Sequence, residues 1–404
     1  MKQRSIAIVA IAGAIGTACS RAPTKAVEPS SAHTVVVVSF DALGDRFLDR
    51  DTLPNFARLM RDGVRAPARP EFPSKTFPNH YSMATGLPPG HHGIVLNQFF
   101  DPERGEWFRH ASQSDGSWFG GEPIWVSAER AGLRTAAYFW MGSEARIDGV
   151  RPTYWKPFDA TVSDDAKLNE IMRWLRLPEA RRPRLIMMYS PVVDVPGHRY
   201  GPSAPQTYAA VRAADAFLGR LRDSLAVAAP GCDLIVVSDH GLVAVPREHD
   251  IDMDSRLPAH GALVDDEHAT FSLWQDPAGP KINLDSIAVA WLTTIPHMRL
   301  FQRGGLPVNW LTAQNRRFGD LFLLADPGYE FVGTKPPAVY TLGEHGYDPA
   351  TPEMTGIFLA AGPDFKAGVR LDARENRSLH DLLVTLLHLN VPRTTSTTDF
   401  GLRH

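Results

Sequence analysis

The sequence predicts an α/β fold: a mostly parallel central sheet flanked by helices, with one inserted cap segment. Three observations predict it. Short apolar runs rich in β-branched residues recur along the chain. Amphipathic stretches at helical spacing lie between them. One long segment, about residues 246–340, breaks the alternation with scattered Pro and Gly, Trp291 and Trp310. Strand–helix alternation is the pattern of parallel sheets covered on both faces.

The elements follow in order. Lys2 and Arg4 precede an apolar or small-residue run of twelve, residues 6–17, too short to span a bilayer. It ends in Gly16-Thr17-Ala18-Cys19, a secretory layout in which residues 1–18 form a signal peptide. The small residues before Cys19 resemble a bacterial lipoprotein cleavage box, although Gly16 stands where leucine is usual. Lipid anchoring through Cys19 and ordinary cleavage nearby both remain open. Either implies export, to a periplasm in a bacterial cell. Residues 19–32 read as a flexible tether and 33–404 as the catalytic domain. Residues 34–39 (TVVVVS), 185–189, 234–237 and 356–360 are expected strands, and 135–140 is a weaker one. Tyr208, Val211, Leu218, Leu221 and Leu225 mark one helix, and Leu379, Leu382, Leu383 and Leu386 another.

Composition narrows the function. The 404 residues carry 42 Lys+Arg against 45 Asp+Glu, a net charge of −3, so no basic surface for nucleic acid is expected. Two cysteines cannot form a disulfide scaffold or a four-thiolate zinc site, so any metal must be held by carboxylates and some of the fifteen histidines. Cys232 reads as a buried structural thiol.

Open α/β sheets bind ligands at the carboxyl ends of their strands. Polar groups collect at three expected strand ends: Asp41 after the first, Asp194 and His198 after 185–189, and Asp239-His240 after 234–237. His345 stands before the last strand. Pro196 and Gly197 lie between Asp194 and His198, which predicts a rigid loop and not a helix face. Gly241 follows His240 where the backbone must turn closely. Three carboxylates and three imidazoles, shared over two sites, suit two zinc-like ions. Thr76, between Pro73 and Pro78 at the start of a helical stretch, is a candidate nucleophile; Ser74 and Ser82 compete with it.

These stretches, with FPSKTFPNHYSMATGLPPGHHGIVLN (72–97), GGEPIWVSAERAG (from 120), YSPVVDVPGHRYGP (from 189), VVSDHG (from 236) and EHGYDP (from 344), resemble the bacterial nucleotide pyrophosphatase/phosphodiesterase family of the alkaline phosphatase superfamily. The resemblance runs over nearly the whole chain after the signal segment. It implies an alkaline phosphatase-like fold and two Zn2+ per chain. Asp41, Thr76, Asp239 and His240 would hold one, and Asp194, His198 and His345 the other. It makes Thr76 the nucleophile, forming a phosphothreonine and releasing a nucleoside 5′-monophosphate. Asn97, helped by the backbone N–H groups near Thr76 and Phe77, would bind a phosphate oxygen. Phe77 and Phe158 would pack a nucleobase, with Tyr189 also at the substrate. The implied partner is a nucleotide or other small phosphodiester. One departure is residues 190–193 (SPVV), where the family has an aromatic and acidic residues; it leaves a choline- or lipid-headgroup diesterase open. A phosphomonoesterase needs extra cations, and no Lys-x-Arg pair lies near residues 143–146. A binding lipoprotein without activity is the remaining alternative, although all the expected ligand positions are filled.

Overall fold

The structure, a computed structural model, describes residues 34–333 and 341–403. The expected signal segment and tether, and residues 334–340 of the expected cap, lie outside the described residues. Among the described residues no helix is long and apolar enough to cross a membrane.

In chain order the first sheet strands are β1 (Val35–Phe40), β2 (Val64–Arg69), β3 (Thr135–Tyr138), β4 (Tyr154–Lys156), β5 (Leu185–Ser190) and β6 (Asp233–Val237). The cap supplies β7 (Ala262–Asp266), β8 (Thr270–Gln275), β9 (Met298–Gln302) and β10 (Leu321–Ala325); β11 (Gly356–Ala361) returns to the main sheet. The principal helices are α1 (Pro54–Asp62), α2 (Thr76–Thr85), α3 (Ile124–Arg130), α4 (Asp164–Leu175), α5 (Asp194–Tyr200), α6 (Pro205–Ala228), α7 (Leu284–Thr294) and α8 (Leu379–Leu386).

The main sheet runs β2-β11-β6-β1-β5-β3-β4, with two short segments, 369–370 and 374–375, along β2. All neighbours are parallel except β11, which is antiparallel to both β2 and β6. Side chains of β1 alternate between two cores. Val35 and Val37 pack with α2, α3 and α8, while Val36 and Val38 pack with α1, α4 and α6. With both faces covered, the strand is apolar throughout instead of alternating. β2 escapes a sequence reading because its arginines and Pro67 mimic a loop. Pro67 falls in the gap between the two short edge segments, where a residue without an N–H is tolerated.

The expected cap is more regular than its sequence suggests. It forms a four-stranded antiparallel sheet, β7-β8-β10-β9. Phe271, Leu273, Leu321, Leu323 and Trp291 of α7 share its own apolar core. Its junction with the main body includes Phe72 stacked on Trp310 with ring centroids 3.7 Å apart. Phe72 stands four residues before Thr76, so this contact fixes the chain entering α2.

Cys232 is half-buried rather than fully buried, because it precedes β6 where the sheet meets the surface. Burial still pushes its thiol up to about 11, so it is not a reactive cysteine.

Candidate functional site

The register aligns Ser39 of β1 with Tyr189 of β5 and Val237 of β6, so these strands end together. Because β11 is antiparallel, the segment leading into it reaches the same edge. Asp41, Asp194, His198, Asp239, His240 and His345 therefore converge, although they come from four separate segments. Two groups of ligand atoms result: Asp41, Asp239 and His240, and Asp194, His198 and His345.

The stretch from Asp194 to His198 is not the loop expected from Pro196-Gly197; it is the first turn of α5. Pro196 is the third helical residue, where an N–H has no intrahelical acceptor, so proline breaks nothing. Gly197 serves packing, since a Cβ there would stand 2.1 Å from Leu242 Cδ1. Asp194 and His198 thus share one helix face, with His198 Nε2 3.2 Å from Asp194 Oδ1. Gly241 behaves as expected: a Cβ on it would lie 2.1 Å from the Glu353 carbonyl oxygen.

Thr76 is the first residue of α2, with Lys75 in the cap position. Its Oγ1 lies 3.4 Å from Asp41 Oδ2 and 3.3 Å from His240 Nε2. The competing hydroxyls are occupied elsewhere. Ser74 donates to the Tyr347 carbonyl and Ser82 pairs with His92.

The three imidazoles share one orientation. Nδ1 faces a backbone carbonyl in each: Gly343 at 2.8 Å for His198, Gly241 at 3.1 Å for His240, and Ser74 at 3.0 Å for His345. A carbonyl only accepts, so the proton sits on Nδ1 and the Nε2 lone pair points into the site. Asp41 Oδ1, Asp194 Oδ1 and Asp239 Oδ2 are buried and make no hydrogen bond. Burial, then repulsion from Asp239 and Asp194, pushes the Asp41 carboxyl well above its usual range; burial lifts Asp239 to about 7. Oriented imidazole lone pairs beside orphaned buried carboxylate oxygens fit divalent cations, and cations would reverse both shifts. The first group is fully enclosed, whereas Asp194 and His198 side chains keep 16% and 24% exposure. The second group therefore faces solvent.

Several supporting residues have no role in the sequence reading. His80, one turn beyond Thr76, donates Nδ1–H to the Thr76 carbonyl and accepts from Ser39 at 2.8 Å. Burial pushes its pKa down to about 3, so it is a neutral brace. Its four-residue spacing from Thr76 is the signal that could have found it. Lys75 Nζ lies 3.4 Å from Glu344 Oε1, and Glu344 Oε2 stands 3.3 Å from His198 Nδ1. His268 and Glu330 lie beside Glu344 as a third carboxylate–imidazole group, and Lys75 already supplies cationic charge there.

Tyr189 has a further role beside its expected place at the substrate, where its ring lies 6.3 Å from that of Phe158. Its hydroxyl donates to Asp41 Oδ2 at 2.6 Å, so it positions a metal-type ligand. Asn97 differs in detail. Its Oδ1 accepts the Phe77 N–H at 2.9 Å, so that N–H is not free for phosphate, and the amide NH2 is the available donor. Of residues 190–193, Ser190 donates to Asp164 and Val193 is buried in the core, while Pro191 and Val192 are half-buried. Phe77 and Phe158 are both half-buried. They flank the exposed ring of His110, with centroid distances of 6.3 and 5.3 Å.

A family model described as type I phosphodiesterase / nucleotide pyrophosphatase matches residues 35–348. A Schizosaccharomyces pombe protein named as an uncharacterized pyrophosphatase/phosphodiesterase is 33% identical over 384 residues, covering 88% of this chain and 77% of its own length. A Crotalus durissus collilineatus venom phosphodiesterase is 31% identical over 391 residues, covering 92% of this chain but only 46% of the venom protein. The chain thus spans less than half of that relative. The solved structure of murine ectonucleotide pyrophosphatase/phosphodiesterase 5 superposes with a TM-score of 0.85 at 30% identity, covering 92% of this chain and all of that one. An inactive form of the same murine protein, in complex with AMP, superposes equally well at 29% identity.

Proposed function

The chain belongs to the type I phosphodiesterase/nucleotide pyrophosphatase family, and on that premise we propose that it is a two-zinc hydrolase of nucleotide phosphodiester or pyrophosphate bonds, releasing a nucleoside 5′-monophosphate. The observation that carries the proposal is the Thr76 hydroxyl at a helix start, beside two groups whose imidazoles all present Nε2.

Asp41, Thr76, Asp239 and His240 would hold one ion, and Asp194, His198 and His345 the other. When bound, such ions lower hydroxyl and water pKa values and offset phosphate charge. Thr76 Oγ1 attacks phosphorus in line. The Oγ1–P bond forms as the bond to the departing alcohol or phosphate breaks, and the hydroxyl's proton ends on the departing oxygen. Water then attacks the phosphothreonine; the P–Oγ1 bond breaks, Thr76 regains its proton, and the monophosphate leaves. The departing group and the water use the exposed Asp194/His198 side. The Asn97 amide steadies a non-bridging oxygen. Phe77 and Phe158 hold the base, and Tyr189 and His80 keep Asp41 and α2 in register.

The test compares the zinc-supplied chain on a p-nitrophenyl nucleotide diester, p-nitrophenyl phosphate and p-nitrophenyl phosphocholine. The diester is expected to be hydrolysed fastest, and Thr76→Ala to lower its kcat by about 10³-fold or more. A monoester or phosphocholine preference overturns the substrate class, and full activity in Thr76→Ala overturns the nucleophile.

A further inference from the structure

We propose that His110 reads the nucleobase, hydrogen-bonding through a ring nitrogen to a base held against Phe77 and Phe158; this rests on the nucleotide reading above.

Three separately anchored rings meet here. Phe77 is the second residue of α2. Phe158 is held by its N–H on Glu144 Oε1 at 2.8 Å and by Phe139, 5.2 Å away. His110 follows a short hairpin, Phe99–Asp101 with Glu106–Phe108, whose Phe99 and Phe108 stack at 4.9 Å inside the core. Phe108 also meets Phe77 edge-on at 6.1 Å. The hairpin therefore brings His110 beside both phenyl rings, and yet the residue stays exposed to an incoming ligand.

The imidazole is held from below as well. The buried Gln113 amide nitrogen lies 3.2 Å from the His110 carbonyl oxygen. Because that carbonyl only accepts, the atom facing it is the NH2. The same nitrogen stands 2.6 Å from His110 Nδ1, with Nε2 further away at 3.4 Å. That amide holds the imidazole in place, and a neutral imidazole offers one donor and one acceptor whichever nitrogen carries the proton. An imidazole edge beside two aromatic rings suits a heteroaromatic base with in-plane donors and acceptors. Ribose and phosphate gain nothing from it. Nothing in the sequence pattern marks His110, because its partners are brought in by the fold.

The experiment measures dissociation constants of AMP and ribose 5-phosphate for the full zinc-supplied chain, His110→Ala and His110→Gln. Losing one hydrogen bond and a ring edge predicts AMP binding about five- to tenfold weaker in His110→Ala, at a smaller loss for ribose 5-phosphate. His110→Gln, which keeps a donor and an acceptor, is expected to recover part of that selectivity. Equal weakening of both ligands, no weakening of AMP, or a wild type that binds AMP no better than ribose 5-phosphate overturns the proposal. Failure of the hydrolytic reading is seen separately, as absent turnover of the nucleotide diester, while the affinity ratio is still read.

Discussion

At the scale of single residues, Asp41 shows how this site is built. It is one residue past β1, its N–H is fixed by the Ser190 carbonyl, and its Oδ2 accepts from Tyr189. Its Oδ1 makes no hydrogen bond. The tyrosine thus orients one oxygen of a carboxylate whose pKa burial and the neighbouring carboxylates raise. Removing the donor in Tyr189→Phe is expected to weaken zinc affinity or kcat by about ten- to a hundredfold, the usual cost of losing such a partner. Zinc titration alongside nucleotide-diester kinetics checks this; a KM effect alone would leave Tyr189 a substrate contact only. The sequence shows a tyrosine five residues before Asp194 but not which way its hydroxyl points.

At the scale of elements, the segments around the site are tied by contacts remote in sequence. α8 gives an example. The Asp381 carboxylate accepts the N–H and hydroxyl of both Thr394 and Thr395, latching that stretch onto the helix. Burial alone would raise its pKa, but bonds from His380, Thr395 and Thr394 outweigh it and hold the carboxyl well below its usual range. A folded pKa below the unfolded value means this stability is present above about pH 4 and is lost as pH falls below it. Asp381→Asn is expected to cost about 1–2 kcal/mol at neutral pH and to flatten the stability curve on its acid side, read by denaturant titration at pH 3 to 7. α5 makes the opposite point about legibility. Its Pro-Gly pair looks like a loop, and only its place in the first helical turn makes it a helix.

At the scale of the whole molecule, the candidate ligands join β1, α2, β6, α5 and the segment before β11 around one edge of the sheet. Ions bound there couple five stretches of chain, so chelation is expected to lower the melting temperature as well as activity. A ligand at a hundredfold excess over its Kd stabilises by about 2.7 kcal/mol. Melting with and without EDTA, then with zinc restored, measures it; an unchanged melting temperature with activity lost would place the ions outside the structural framework. The α/β class and five main-sheet strands, β1, β3, β5, β6 and β11, were legible because each is a local run of apolar residues buried on both faces. β2, β4 and the cap sheet were not, because arginine, proline and short strands carry little local signal. The candidate ligands could be named because each stands beside a strand end or in a quoted motif.

The sequence by itself determined the kinds of group available: carboxylates, imidazoles and a hydroxyl, placed by short-range pattern at the ends of strands and the start of a helix. Only the tertiary structure decided how they act together. His345 owes its Nε2 orientation to Ser74, 271 residues away, and Asp41 its second bond to Tyr189, 148 residues away. His110 meets the rings of Phe77 and Phe158, which come from two other segments. Tautomers, orphaned oxygens and shared pockets depend on distances between remote residues, and those distances exist only once the sheet has brought its strand ends to one edge.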